Sequence, residues 1–171
     1  RMAIEWFHHK LHEVNTILSD HFDKFRISDA LMLVYTTFRD EFSGWLLEIV
    51  KPGYQQPIDG KTFREVTDLF DQLLRMMHPF IPFITEEIWQ LLSPRNAGES
   101  IMITLMPVPG EFDAQLLEAF DQVKEAISGI RKIRLDNKIP AREPVDLYIS
   151  PGVKGYSSAY DALIVRLSNL N

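Results

Sequence analysis

Cysteine is missing from all 171 residues, which excludes disulfides and thiolate metal sites. A chain of this kind fits a reducing compartment. No apolar run reaches the roughly 18 residues of a membrane span. Arg1-Met2-Ala3-Ile4-Glu5 leads straight into an amphipathic pattern, without the layout of a signal peptide. Positive charge is in deficit: 18 Lys and Arg stand against 24 Asp and Glu, a net charge of -6. Non-specific nucleic-acid binders usually carry a strong basic field, so the balance argues against that class. A local basic patch on an acidic domain stays open. Gly-rich phosphate loops, His-Glu-x-x-His spacing and paired nucleophile and base are also missing. No internal repeat and no low-complexity segment is present.

The rest of the composition is ordinary for a globular chain, 46% hydrophobic and 25% charged. The length suits one domain, or one domain plus a fragment. The pattern opens in mid-helix and reaches Asn171 without a closing element, so the chain reads as a piece of a longer protein.

Helical periodicity dominates. Ile4, Phe7, Leu11, Val14 and Leu18 form one apolar stripe, and that helix is expected to fray between Asp20 and Phe25. Ser28 reads as the N-cap of a second helix, with Ile27 stapled onto Met32. Its stripe is Leu31, Val34, Tyr35, Phe38, Phe42, Trp45, Leu46 and Ile49, and Pro52-Gly53 ends it. A third helix opens on the capping box Thr62–Glu65. Pro79 and Pro82 must kink or break it, and Thr85 restarts it. Residues 93–110 read as irregular, with Ile101–Leu105 a short strand or an extended packing segment. A long helix runs from about Asp113 to Pro140. Val145, Leu147 and Ile149 alternate as a strand does, closed by Pro151-Gly152, and Tyr156–Leu167 reads as helical. The expected fold is mainly α: an antiparallel helix bundle over residues 1–143, then a partial, truncated strand–helix element over 144–171.

Four groups of residues bear on chemistry. His8 and His12 share a helix face at i and i+4, but no third ligand is indicated, so a solvated face is the expectation and no metal is assigned. Gly44-Trp45 reads either as close approach of a backbone or ligand, or as helix packing with Trp45 in the core. The packing reading is preferred because Trp45 lies on the apolar stripe. Arg131, Lys132, Arg134, Lys138 and Arg142 gather basic charge at the end of the long helix. They serve either the negative end of the helix dipole or the phosphates of an RNA backbone. Lys24 and Arg26, beside Phe22 and Phe25, repeat the idea in the first turn, since single-stranded RNA loops are read by stacking together with polar contacts. These seven basic residues are the RNA-binding candidates; no catalytic and no cofactor-binding residue is assigned.

His78-Pro79-Phe80-Ile81-Pro82-Phe83-Ile84-Thr85-Glu86-Glu87-Ile88-Trp89 resembles the signature of the anticodon-binding helical domain of valyl-tRNA synthetases, which are class I aminoacyl-tRNA synthetases. Further stretches carry the resemblance: Trp6 with Leu11; Phe25 to Tyr35; Asp40 to Glu48 followed by Lys51-Pro52; Glu99-Ser100-Ile101-Met102 followed by Pro107; and Gly129 to Arg134. It covers about Trp6 to Ile149. Arg39 stands where that family often has Trp, and Ser43, Gly44 and Leu46 replace its usual Cys, Asp and Tyr, which puts contacts carried over to this helix in question.

The resemblance implies a domain that grips the anticodon arm of a valine-accepting tRNA and orients it for ATP-dependent valylation by other domains in cis. The family's nucleotide-binding motifs are not in this sequence, so the piece is expected to have no catalytic activity alone and no cofactor of its own. ATP would belong to the parent enzyme, in the cytoplasm, with neither membrane nor DNA as a partner. The alternatives are the same domain of an isoleucyl- or leucyl-tRNA synthetase, a helical protein-interaction module without RNA binding, or a metal-binding bundle built on His8 and His12.

Overall fold

The structure, a computed structural model, describes residues 1–148 and 157–171. Helices make up most of it, and no strand forms among the described residues. Two compact units divide the chain, Arg1–Phe112 and Asp113–Asn171.

In the first unit, α1 (Met2–Asp23) buries Phe7, Leu11, Val14 and Leu18 of the expected stripe, with Ile4 only partly buried, and buries Trp6 beside them. Phe25 turns the chain at φ 56°, and the Ala30 amide then bonds the Arg26 carbonyl at 3.0 Å. That bond starts α2 (Ile27–Thr36) one residue before Ser28. Ser28 is therefore not the cap, and Ile27 and Met32 are both exposed instead of stapled.

The single helix expected after Ser28 is not uniform. Residues Thr37–Leu46 wind as a π-helix before α3 (Leu47–Val50) resumes. Thr36 and Thr37 donate their hydroxyls to the Met32 and Leu33 carbonyls, each at 2.8 Å, at the point where the winding changes. Such back-bonding competes with the regular ladder. The Leu47 amide still reaches back five residues, to Phe42. Within this segment Thr37, Phe42 and Leu46 are buried; Leu31 and Tyr35 of the expected stripe, on α2 before the winding changes, are exposed. The expected stripe therefore holds at Val34, Phe42 and Leu46 and fails at Leu31 and Tyr35.

Asp59 caps α4 (Gly60–Met77), its carboxylate accepting from the Lys61 and Thr62 amides at 3.1 and 2.9 Å. Asp59 takes the Thr62 amide that Glu65 would accept from in a Thr62–Glu65 box, Thr62 lies inside the helix, and the Glu65 carboxylate lies 3.9 Å from Lys61 Nζ. Phe42 stacks on Phe70 of α4 at 5.3 Å and meets Phe7 of α1 at 5.5 Å, which ties the three elements into one aromatic core.

The proline break falls where it was expected. Residues His78–Ile81 form the turn, and Pro82 occupies the first position of α5 (Pro82–Leu92), where its missing amide costs nothing. Thr85 does not start this helix; it lies inside it, 1% exposed. Its hydroxyl donates to the Ile81 carbonyl at 2.9 Å, so His78 Nδ1, 2.8 Å away, is the donor to that oxygen. Trp89 Nε1 donates to Asp71 at 2.7 Å, and the Arg95 guanidinium lies 3.5 Å over the indole. Ile101–Ile103 is a 3-10 turn, not a strand or extended segment; Ser100 caps it, and Ile101 is buried with Leu74 and Trp89. The following loop returns to α1, where Asn15 donates to the Pro107 carbonyl at 2.9 Å.

In the second unit, Asp113 caps α6 (Ala114–Asp136), which buries Leu117, Phe120, Val123 and Ile127. A 3-10 turn (Ser158–Tyr160) precedes α7 (Asp161–Ser168). Val145 and Leu147 do not build a strand: Val145 makes one isolated parallel bridge, to Leu170. Ile149, Pro151, Gly152 and Tyr156 lie outside the described residues.

Candidate nucleic-acid interface

The acidic excess belongs to one unit. Arg1–Phe112 holds ten Lys and Arg against sixteen Asp and Glu, while Asp113–Asn171 holds eight against eight. Within the second unit the end of α6 concentrates positive charge. Arg131 and Lys132 on its last turns, and Lys138 and Arg142 just beyond, are all exposed. Lys138 adopts φ 56° in the turn that closes the helix. Arg131 donates to the Leu167 carbonyl at 3.4 Å.

Arg134 differs from its neighbours. It is 6% exposed, and its guanidinium donates to the carbonyls of Pro140, at 2.8 Å, and Glu143, with a longer contact to Ser168. The expectation of an exposed phosphate contact is corrected here. One turn of an α-helix separates Arg131 from Arg134, but α7 and the 140–143 turn cover only the latter. Sequence proximity cannot distinguish them.

In the first unit, Lys24 and Arg26 flank the α1–α2 turn. Lys24 pairs with Asp20 at 2.5 Å, and this hydrogen bond holds the Asp20 carboxyl below its usual range. Phe22 faces Phe80, stacked at 6.1 Å, so it joins this turn to the α4–α5 turn and presents no free ring. Phe25 is the ring left outward, 88% exposed. Sequence reasoning missed Phe83, 90% exposed at the start of α5. The available signal was spacing: Phe83 follows Phe80 by three residues, as Phe25 follows Phe22.

The other candidates resolve locally. The His8 and His12 rings meet edge-to-face at 4.7 Å, and burial, then His8 and His9, push the His12 pKa down. Among the described residues no group of three metal-ligating side chains converges. Gly44 is exposed, and an added Cβ would meet only the Arg39 carbonyl of its own helix, at 3.4 Å. Trp45, expected in the core, is only partly buried, on the π-helical segment. Arg39 is held by both oxygens of Asp40, at 2.6 and 2.7 Å.

The family described as the anticodon-binding domain of tRNA ligase matches residues 5–149. The chain is similar to the valine–tRNA ligase of Parabacteroides distasonis, 46% identical over 170 residues, covering 99% of this chain and 19% of the relative. It is similar to that of Porphyromonas gingivalis, 46% identical over 169 residues, again 99% of this chain and 19% of the relative. The valine–tRNA ligase of Phocaeicola vulgatus is 43% identical over 171 residues, 100% of this chain and 19% of the relative. The chain therefore spans about a fifth of the length of the curated relatives it matches. With its helical architecture and a match over most of its length, the chain belongs to the family of anticodon-binding domains of tRNA ligases.

Proposed function

We propose that this chain is the tRNA-binding domain of a valine–tRNA ligase, gripping the anticodon arm and positioning the tRNA for ATP-dependent valylation by domains outside these residues. Valine is preferred over isoleucine and leucine because the relatives are named valine–tRNA ligases. The proposed partners are valine tRNA and the other synthetase domains in cis, and the proposed setting is the cytoplasm.

The observation that carries the reading is exposed basic charge gathered at one helix end within an acidic chain. Arg131, Lys132, Lys138 and Arg142 would contact phosphates, which fix orientation without reading sequence. Lys24 and Arg26, with Phe25 exposed between them, would offer a stacking and polar surface for unstacked loop bases. The work is binding and orientation, with no bond made or broken in this chain.

The test is a titration of the chain with valine tRNA and an anticodon-changed copy at two salt concentrations. Selective binding that weakens with salt is expected. Equal affinity for both RNAs would remove anticodon reading from this chain.

A further inference from the structure

A hollow of about 470 Å³ opens in the first unit between α5 and the 3-10 turn Ile101–Ile103. Phe83, Glu87 and Leu91 follow one another at i, i+4 and i+8, so they form one ridge of α5, and Met102 lines the hollow from the turn. The three apolar side chains stand almost free: Phe83 is 90% exposed, Leu91 80% and Met102 73%. The polar part of the lining has only acceptors to offer. Gln90 gives its amide hydrogens to Glu86 Oε1 and to the Glu99 carbonyl, each at 2.7 Å. The Ser100 hydroxyl donates to Glu86 Oε2 at 2.6 Å, and neutral His78 spends its one N–H on Thr85. The Ser100 bond, then that of Gln90, hold the Glu86 carboxyl below its usual range, so it stays charged. Glu87 is exposed and joins no ion pair among the described residues. Neither Lys nor Arg lines the hollow.

An anion would meet two carboxylates and no spare donor, so phosphate does not fit. A cation on an apolar stem does, and a planar one can lie on the Phe83 ring. We infer that this hollow seats an arginine side chain of a protein partner. A guanidinium, unlike an ammonium, both stacks on a ring and forks onto a carboxylate. Phe83 and Glu87, one helical turn apart, supply the two surfaces, and Leu91 and Met102 cover the stem. A free small cation would leave these apolar side chains in water, whereas a protein surface covers them; aromatic residues, Met and Arg are what protein interfaces concentrate. The wider charge agrees, since Arg1–Phe112 holds ten Lys and Arg against sixteen Asp and Glu, a balance that draws a basic partner. None of these lining residues is among those proposed to meet tRNA.

The experiment titrates this chain with the capped tripeptide acetyl-Leu-Arg-Leu-amide and follows the NMR signals of Phe83, Leu91 and Met102. Parallel titrations use the same peptide with citrulline or lysine in place of arginine, and cytidine monophosphate. Phe83→Ala, Glu87→Gln and the control Glu125→Gln all replace exposed residues, Glu125 lying on α6 outside the hollow. Circular dichroism melting confirms that each variant folds. Saturable binding with a Kd on the order of 1 mM is expected. It should weaken about threefold in Phe83→Ala and in Glu87→Gln and stay unchanged in the control. The citrulline and lysine peptides should bind more weakly than the arginine peptide. Equal binding of citrulline removes the charge from recognition, equal binding of lysine removes the guanidinium, and either result overturns the assignment. Tighter binding of cytidine monophosphate than of the arginine peptide gives the hollow to a nucleobase and overturns it as well. So does a lack of saturation in the unaltered chain, or equal weakening in Glu125→Gln.

Discussion

Gly110 shows how one missing atom positions a loop. A Cβ there would lie 2.7 Å from the His12 ring of α1, closer than any relaxed contact. With a side chain at 110 the His12 ring must shift before the loop after the 3-10 turn can lie against α1 as it does, and Asn15 fastens the same loop through Pro107. Gly110→Ala is expected to destabilise the chain by about 1–3 kcal/mol, the usual cost of overpacking. In a His12→Ala background most of that cost should vanish, because the obstructing ring is gone. Chemical denaturation of both single variants and the double variant measures the coupling; strict additivity would show that the two do not meet. Sequence alone marked Gly110 as irregular and His12 as a solvated histidine, since contacts between residues so far apart leave no periodic trace.

Among the elements, the α4–α5 junction shows prolines and a hydroxyl acting together. Pro82 sets the first turn of α5, while Thr85 ties Ile81 and His78 into the bend. The two prolines made the break legible from sequence. The bonds that set its angle were not, because they depend on Thr85 being buried. Thr85→Val keeps the shape and removes the oxygen, so His78 Nδ1 loses its partner and the Ile81 carbonyl keeps only the residue-85 amide. A loss of about 1–3 kcal/mol in denaturation is expected. Pro79→Ala, at an exposed turn position, should cost less. The reverse order would mean that backbone restriction, not the hydroxyl, holds the bend. The π-helical segment makes the same point: periodicity marked Thr37–Leu46 as helical and put Phe42 and Leu46 on the buried face, but the change of winding rests on backbone bonds that no spacing of apolar residues reports.

For the whole molecule, charge distribution outweighs net charge. The acidic excess lies in Arg1–Phe112, and the exposed cluster at the α6 end lies in the other unit. Replacing Lys132, Lys138 and Arg142 together with Gln should flatten the salt dependence of tRNA binding by roughly 2 to 3 units of log–log slope. Replacing Lys24 and Arg26 should flatten it less, because Lys24 is already paired with Asp20. Association constants measured across a salt series decide between them; a larger effect from Lys24 and Arg26 would move the principal phosphate contacts to the α1–α2 turn.

By itself the sequence determined the helical class, the proline break, the Asp113 start of the long helix and the family, because periodicity, proline and local motifs act over a few residues. Tertiary structure alone decided that Asp59 caps α4 in place of Thr62, that Phe25 faces outward while Phe22 stacks on Phe80, and that Arg134 is covered while Arg131 is not. Each of these depends on which distant segment arrives to cover or bond the side chain. For these side chains burial is a property of that arrangement, which the local pattern around them does not encode.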